Sequence, residues 1–125
     1  MIRDFIKIAI IILIIDSIYL YTIGRALFVP AINRIQRNMI NFHYRAAFLC
    51  YLLLAYGLYH FIIMEKKRPR EAFKLGLIIY GVYETTNMAL FNEWKWDMVI
   101  VDSIWGGILF YLTTMVYYSI SHFHL

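Results

Sequence analysis

Apolar residues run along the chain in four long stretches, each broken by only one or two polar positions. The first, 5–23, carries Lys7 at its start and Asp16 within; the second, 46–64, is interrupted by His60. The third, 73–90, contains Glu84 and Asn87, and the fourth, 98–120, contains Asp102. No helical or strand period organises them, as expected of segments that face apolar surroundings on every side. Length decides instead. Each stretch approaches the ~20 residues with which an α-helix crosses a hydrocarbon core of ~30 Å, and backbone groups in lipid must find their partners within the segment. The pattern predicts an all-α fold, an integral membrane four-helix bundle in which residues 1–125 form a single transmembrane domain. Arg3 and Lys7 ahead of the first stretch imitate a signal peptide, but no small-residue cleavage site follows, so the reading is a retained helix.

The connectors sharpen this picture. Between the first two stretches, residues 24–45 carry Arg25, Pro30, Arg34, Arg37 and Arg45 among Ile32, Ile35, Met39, Ile40 and Phe42. That spacing fits a short amphipathic helix lying in the interface. The second connector is the compact block Glu65-Lys66-Lys67-Arg68-Pro69-Arg70-Glu71, whose proline ends the preceding element. The third holds Trp94-Lys95-Trp96, two indoles flanking an amine, which suits the headgroup level. Arg3, Lys7, Lys66, Lys67, Arg68, Arg70 and Lys74 fall on one side, and Arg25, Arg34, Arg37, Arg45 and Lys95 on the other. The excess on the first side, concentrated in a short loop, places both termini in the cytoplasm.

Composition agrees with the pattern. At 62% hydrophobic and 16% charged residues, the chain departs from the roughly 45–50% apolar and about 25% charged content of soluble domains. A net charge of +4 would suggest nucleic acid in a soluble protein. Here the cations sit between the spans and meet lipid headgroups, so the expected partner is the lipid bilayer and not nucleic acid. Cys50 is the single cysteine, which excludes an internal disulfide and a cysteine-based metal site.

Three carboxylates inside the spans carry the candidate chemistry. An acid at a helix centre costs roughly 2.5–3.5 kcal/mol on insertion scales, so Asp16, Glu84 and Asp102 are not incidental. At ~1.5 Å per residue, Asp16 lies roughly 10 Å and Glu84 roughly 9 Å before the ends of their spans, and Asp102 roughly 6 Å after the start of its own. Alternating helix directions bring all three to one side of the membrane. Tyr19, Asn87 and Trp105 each follow an acid by three residues and are candidate local partners. Gly106 and Gly107 allow another helix to come close. The functional reading is a polar pocket for a proton, a cation or a solute; the alternative is interhelical glue made by the same groups.

Other motifs are thin. His43, His60, His122 and His124 do not cluster, and His122 with His124 supplies only two zinc ligands, so no metal or cofactor is expected. Phosphate loops, nucleophile elbows and metalloprotease signatures are absent from the sequence.

Asp16-Ser17-Ile18-Tyr19-Leu20, Tyr83-Glu84-Thr85-Thr86-Asn87, a tryptophan at 94 or 96, and Val101-Asp102-Ser103-Ile104-Trp105-Gly106 follow one another in order. In this the chain resembles the small four-span membrane proteins called domain of unknown function 2177, over essentially its whole length. Two departures stand out: Glu84 occupies a position where that family commonly has Asp, and Tyr19 one where it commonly has Trp. The resemblance implies the fold and the acidic positions, and no activity.

Three functions are compatible with these features. The first is a small transporter or channel-like protein, expected as a homo-oligomer, that uses the acidic pocket for a proton, cation or cationic solute. The second is a structural component of a cell or virion membrane. The third is a lipid-metabolism accessory or enzyme working by acid–base chemistry.

Overall fold

The computed structural model describes residues 2–24, 26, 44–92 and 94–123, and four α-helices lie among the described residues. Helix α1 spans Ile2–Tyr19, α2 Tyr44–Leu58, α3 Pro69–Leu90 and α4 Trp96–Phe123. The all-α bundle follows from the four apolar stretches. The amphipathic helix expected within 24–45 lies outside the described residues.

Both α1 and α2 end in a widened π turn, Leu20–Gly24 and Tyr59–Ile63. With those turns included, three segments are long and apolar enough to cross a membrane: Ile2–Ile23, Tyr44–Ile63 and Trp96–Ser121. Helix α3 has 22 residues, a length of about 33 Å. It is less apolar than the others because Arg70, Glu71, Lys74, Glu84, Thr85, Thr86 and Asn87 all belong to it.

The turn from α2 to α3 is built locally. Lys67 N–H reaches the Ile62 carbonyl at 2.9 Å and Lys66 N–H the Ile63 carbonyl at 3.0 Å. Lys66 takes φ 52°, the left-handed conformation that closes such a double-bonded helix end. Arg68 is then extended, as a residue before proline must be, and Pro69 opens α3, where its missing N–H costs nothing.

Helices α3 and α4 form the closest pair, α1 packs on α4, and α2 packs on α1. Gly76 and Gly106 explain the closeness of α3 and α4: a Cβ on Gly76 would meet the backbone carbonyl of Gly106, and one on Gly106 would meet the Tyr80 ring. A Cβ on Gly107 would stand 2.8 Å from the Phe73 ring. The core between the helices contains Ile8 and Ile12 of α1, Leu54, Ala55 and Leu58 of α2, and Leu109 and Phe110 of α4. Outward-facing Ile10, Leu13, Ile14, Phe48, Leu49 and Leu53 are exposed apolar residues, as a surface that contacts lipid requires.

Candidate functional site

Helices α1 and α4 run antiparallel in one register that three side-chain pairs define. Asp4 lies within hydrogen-bonding reach of the Tyr117 hydroxyl near one end. Toward the other, the Trp105 indole N–H donates to Asp16 Oδ1 at 2.8 Å, and the Tyr19 hydroxyl donates to Asp102 Oδ1 at 3.2 Å. The two rings pack against each other between these bonds, tilted by 40° with centroids 4.4 Å apart. Each helix thus contributes one acid and one aromatic donor, and each donor serves the acid of the facing helix. Tyr51 of α2 completes the environment of Asp16, its hydroxyl donating to Oδ2 at 2.5 Å.

Glu84 is only 1% exposed, and its carboxyl lies within hydrogen-bonding reach of that of Asp102. An ionised carboxylate is acceptor-only, so a hydrogen bond across this pair requires a proton on one of the two acids. The second oxygen of Glu84 accepts from the Trp94 indole N–H at 2.9 Å. The connector makes this possible: after α3 ends at Leu90, Trp94 N–H bonds the Phe91 carbonyl at 3.2 Å, and the turn folds the indole back over the bundle. Tyr80, packed on Gly106, brings a further phenol near Asp16 and Asp102. Among the described residues, no lysine or arginine is paired with any of the three acids. Neutral donors from Trp and Tyr surround them instead.

The three acids named from the sequence therefore stand together at one end of the bundle, contributed by α1, α3 and α4. The local partners read from spacing differ. Tyr19 does not bond Asp16, and Trp105 does not bond Asp102; the donors exchange helices, because a long aromatic side chain reaches past its own helix surface to the neighbour. Asn87 is buried on the same side of α3 as Glu84, but Trp94 is the donor to that carboxyl. Of the two indoles expected at headgroup level, Trp96 is 62% exposed and Trp94 only 6%. Tyr51 and Tyr80 are participants the sequence reading passed over, since each is one tyrosine among eleven with nothing in its neighbourhood to mark it.

Beside the acids, between α1 and α2, lies an apolar cleft of about 550 Å3 that includes Phe5, Ala9, Leu13, Ala47 and Phe48, with the Tyr51 ring in its wall. Among the described residues, no group of three His, Cys, Asp or Glu side chains is arranged to hold a metal ion.

No curated protein and no solved structure shows significant similarity to the chain. A family model described as "Predicted membrane protein (DUF2177)" matches residues 1–119, and the chain belongs to that family.

Proposed function

We propose that this multi-pass membrane protein is a small transporter or channel-like protein whose carboxyl cluster, Asp16, Glu84 and Asp102 with Tyr19, Asn87 and Trp105, binds a proton or a monovalent cation. The observation that carries the reading is the Glu84–Asp102 carboxyl pair. A paired arginine would suffice to hold two such acids between helices; among the described residues they face each other with neutral indole and phenol donors, which leaves a place for a mobile positive charge. The basic turn between α2 and α3 supports an orientation with both termini in the cytoplasm, which opens the acid cluster toward the opposite side.

The interhelical bonds from Trp105, Tyr19 and Tyr51 also favour a second reading, in which the acids are structural glue. Flux separates the two. Purified protein in liposomes should dissipate a proton or monovalent-cation gradient, and Glu84→Gln and Asp102→Asn should abolish the dissipation while keeping helicity and elution volume. If neither wild type nor variant conducts and both variants melt earlier, the glue reading replaces transport.

A further inference from the structure

Threonines inside helices commonly return their hydroxyl to the carbonyl one turn earlier. Four of the five in this chain do so: Thr22 to Ile18 at 2.8 Å, Thr85 to Gly81 at 2.7 Å, Thr86 to Val82 at 2.7 Å and Thr114 to Phe110 at 2.8 Å. Thr113 is the exception. It is 0% exposed, and among the described residues its Oγ1 is the buried side-chain oxygen with no hydrogen-bond partner. A buried hydroxyl left unpaired costs about 1–3 kcal/mol, and an alternative partner, the Leu109 carbonyl, is available one turn away.

The position of Thr113 gives this orphan a context. The register fixed by Asp4–Tyr117, Asp16–Trp105 and Tyr19–Asp102 sets Ile12 level with Leu109, and Ile8 level with Thr113. Thr113 is eleven residues from Asp102 along α4, about 16 Å. Fully buried Ile12, Leu58, Leu109 and Phe110 fill the layer between them. Beyond Thr113 the bundle becomes polar again. Tyr117 lies one turn on, within hydrogen-bonding reach of Asp4 and Ser121 and close to Tyr59, and the Tyr118 hydroxyl donates to the Lys67 carbonyl at 2.6 Å.

From this we infer that the Thr113 hydroxyl holds an ordered water, the innermost member of a second polar layer that enters the bundle from the Asp4–Tyr117 end and stops at the Leu109–Phe110 plug. Water is the occupant whose chemistry fits: a neutral hydroxyl offers one donor and two acceptor sites, and bridging waters satisfy such buried groups. The layer has a functional consequence that rests on the transport reading above. It supplies the far half of a route whose near half is the acid cluster, with an apolar plug as the closed gate between them. The water site itself does not depend on that reading.

Thiol accessibility tests the site, with Cys50 replaced by Ser. In liposomes, Thr113→Cys should react with a small water-soluble thiosulfonate about tenfold faster than Leu109→Cys, because only a hydrated thiol ionises and attacks. Equal, negligible labelling of both would overturn the inference. Thr113→Val, which keeps the shape and removes the hydroxyl, supplies an arm that does not require the cysteine variants to fold. Its melting temperature should stay level or fall as the water loses its anchor; a clear rise would show a dry, unsatisfied hydroxyl and refute the site. The same Thr113→Val protein should lose gradient dissipation. Wild-type flux unaffected by Thr113→Val overturns the route while leaving the acid cluster as the binding centre. Labelling at Thr113→Cys without wild-type flux keeps the water and removes the transport reading.

Discussion

Replacing Gly76 with Ala asks whether α3 and α4 are held at backbone contact. Alanine at any helix-interior glycine gains about 0.8–1.0 kcal/mol of intrinsic helix propensity. Gly57 of α2 shows that gain in isolation, because a Cβ there meets nothing within 4 Å. Gly81 is an intermediate control, with Ser103 Oγ at 3.8 Å in ordinary contact. At Gly76 the added methyl runs into the Gly106 carbonyl and stands 2.9 Å from Phe110 Cγ. Backbone cannot rotate aside as a side chain can, so the helices must part by roughly 1 Å to recover van der Waals separation. Overpacking of that kind costs about 1–3 kcal/mol, and the parting also loosens contacts around Tyr80 and Phe110, so the upper half of the range applies. Subtracting the propensity gain leaves Gly76→Ala destabilised by about 1–2 kcal/mol, against a stabilisation of about 1 kcal/mol for Gly57→Ala. Reversible unfolding by sodium dodecyl sulfate in mixed micelles, followed by circular dichroism, measures both. A Gly76→Ala protein as stable as Gly57→Ala would refute the close approach and the α3–α4 geometry that sets Glu84 against Asp102.

Asp16 has two donors, so Trp105→Phe and Tyr51→Phe should each cost about 0.5–1.5 kcal/mol, and the double variant more than their sum, because it strands the carboxylate; additive or neutral effects in the same unfolding assay would mean that these bonds do not form. Trp94 and Trp96 should differ in fluorescence: Trp96→Phe should remove the emission reached by a water-soluble quencher, while Trp94→Phe should remove the shielded emission, and equal quenching would place both indoles at the surface. Lys66 occupies a left-handed position that L side chains adopt at a cost, so Lys66→Gly should raise stability by about 0.5–1 kcal/mol, visible as a higher melting temperature in detergent; a lower one would contradict the helix-closing turn.

What the sequence carried and what it withheld divides along physical lines. The four helices and the acids within them were legible because lipid imposes length and penalises charge one segment at a time, although Pro69–Leu90 is less apolar than the three segments that qualify as spans. The shared depth of Asp16, Glu84 and Asp102 followed from helix rise and alternating direction. Partners across helices were not legible. Spacing relates Tyr19 to Asp16 and Trp105 to Asp102, but the antiparallel register of α1 and α4 exchanges them. Trp94 looked like an interface anchor because tryptophan next to lysine usually is one; only the turn after Leu90 turns it back onto Glu84. Gly76 went unremarked beside Gly106 and Gly107, since the significance of a lone glycine appears only with the backbone it faces. Thr113 and Thr114 are adjacent and identical in type, and nothing in the sequence distinguishes the hydroxyl that bonds back from the one that does not.

The proposed transport requires a proton shared between Glu84 and Asp102, and infrared spectroscopy of the purified protein in lipid reads such a proton directly. A carbonyl band from a protonated carboxyl, shifted by exchange into heavy water, should be present in the wild type and absent from both Glu84→Gln and Asp102→Asn, since either substitution removes the pair. A wild type without the band, or a band that persists in both variants, would contradict a shared proton at this site.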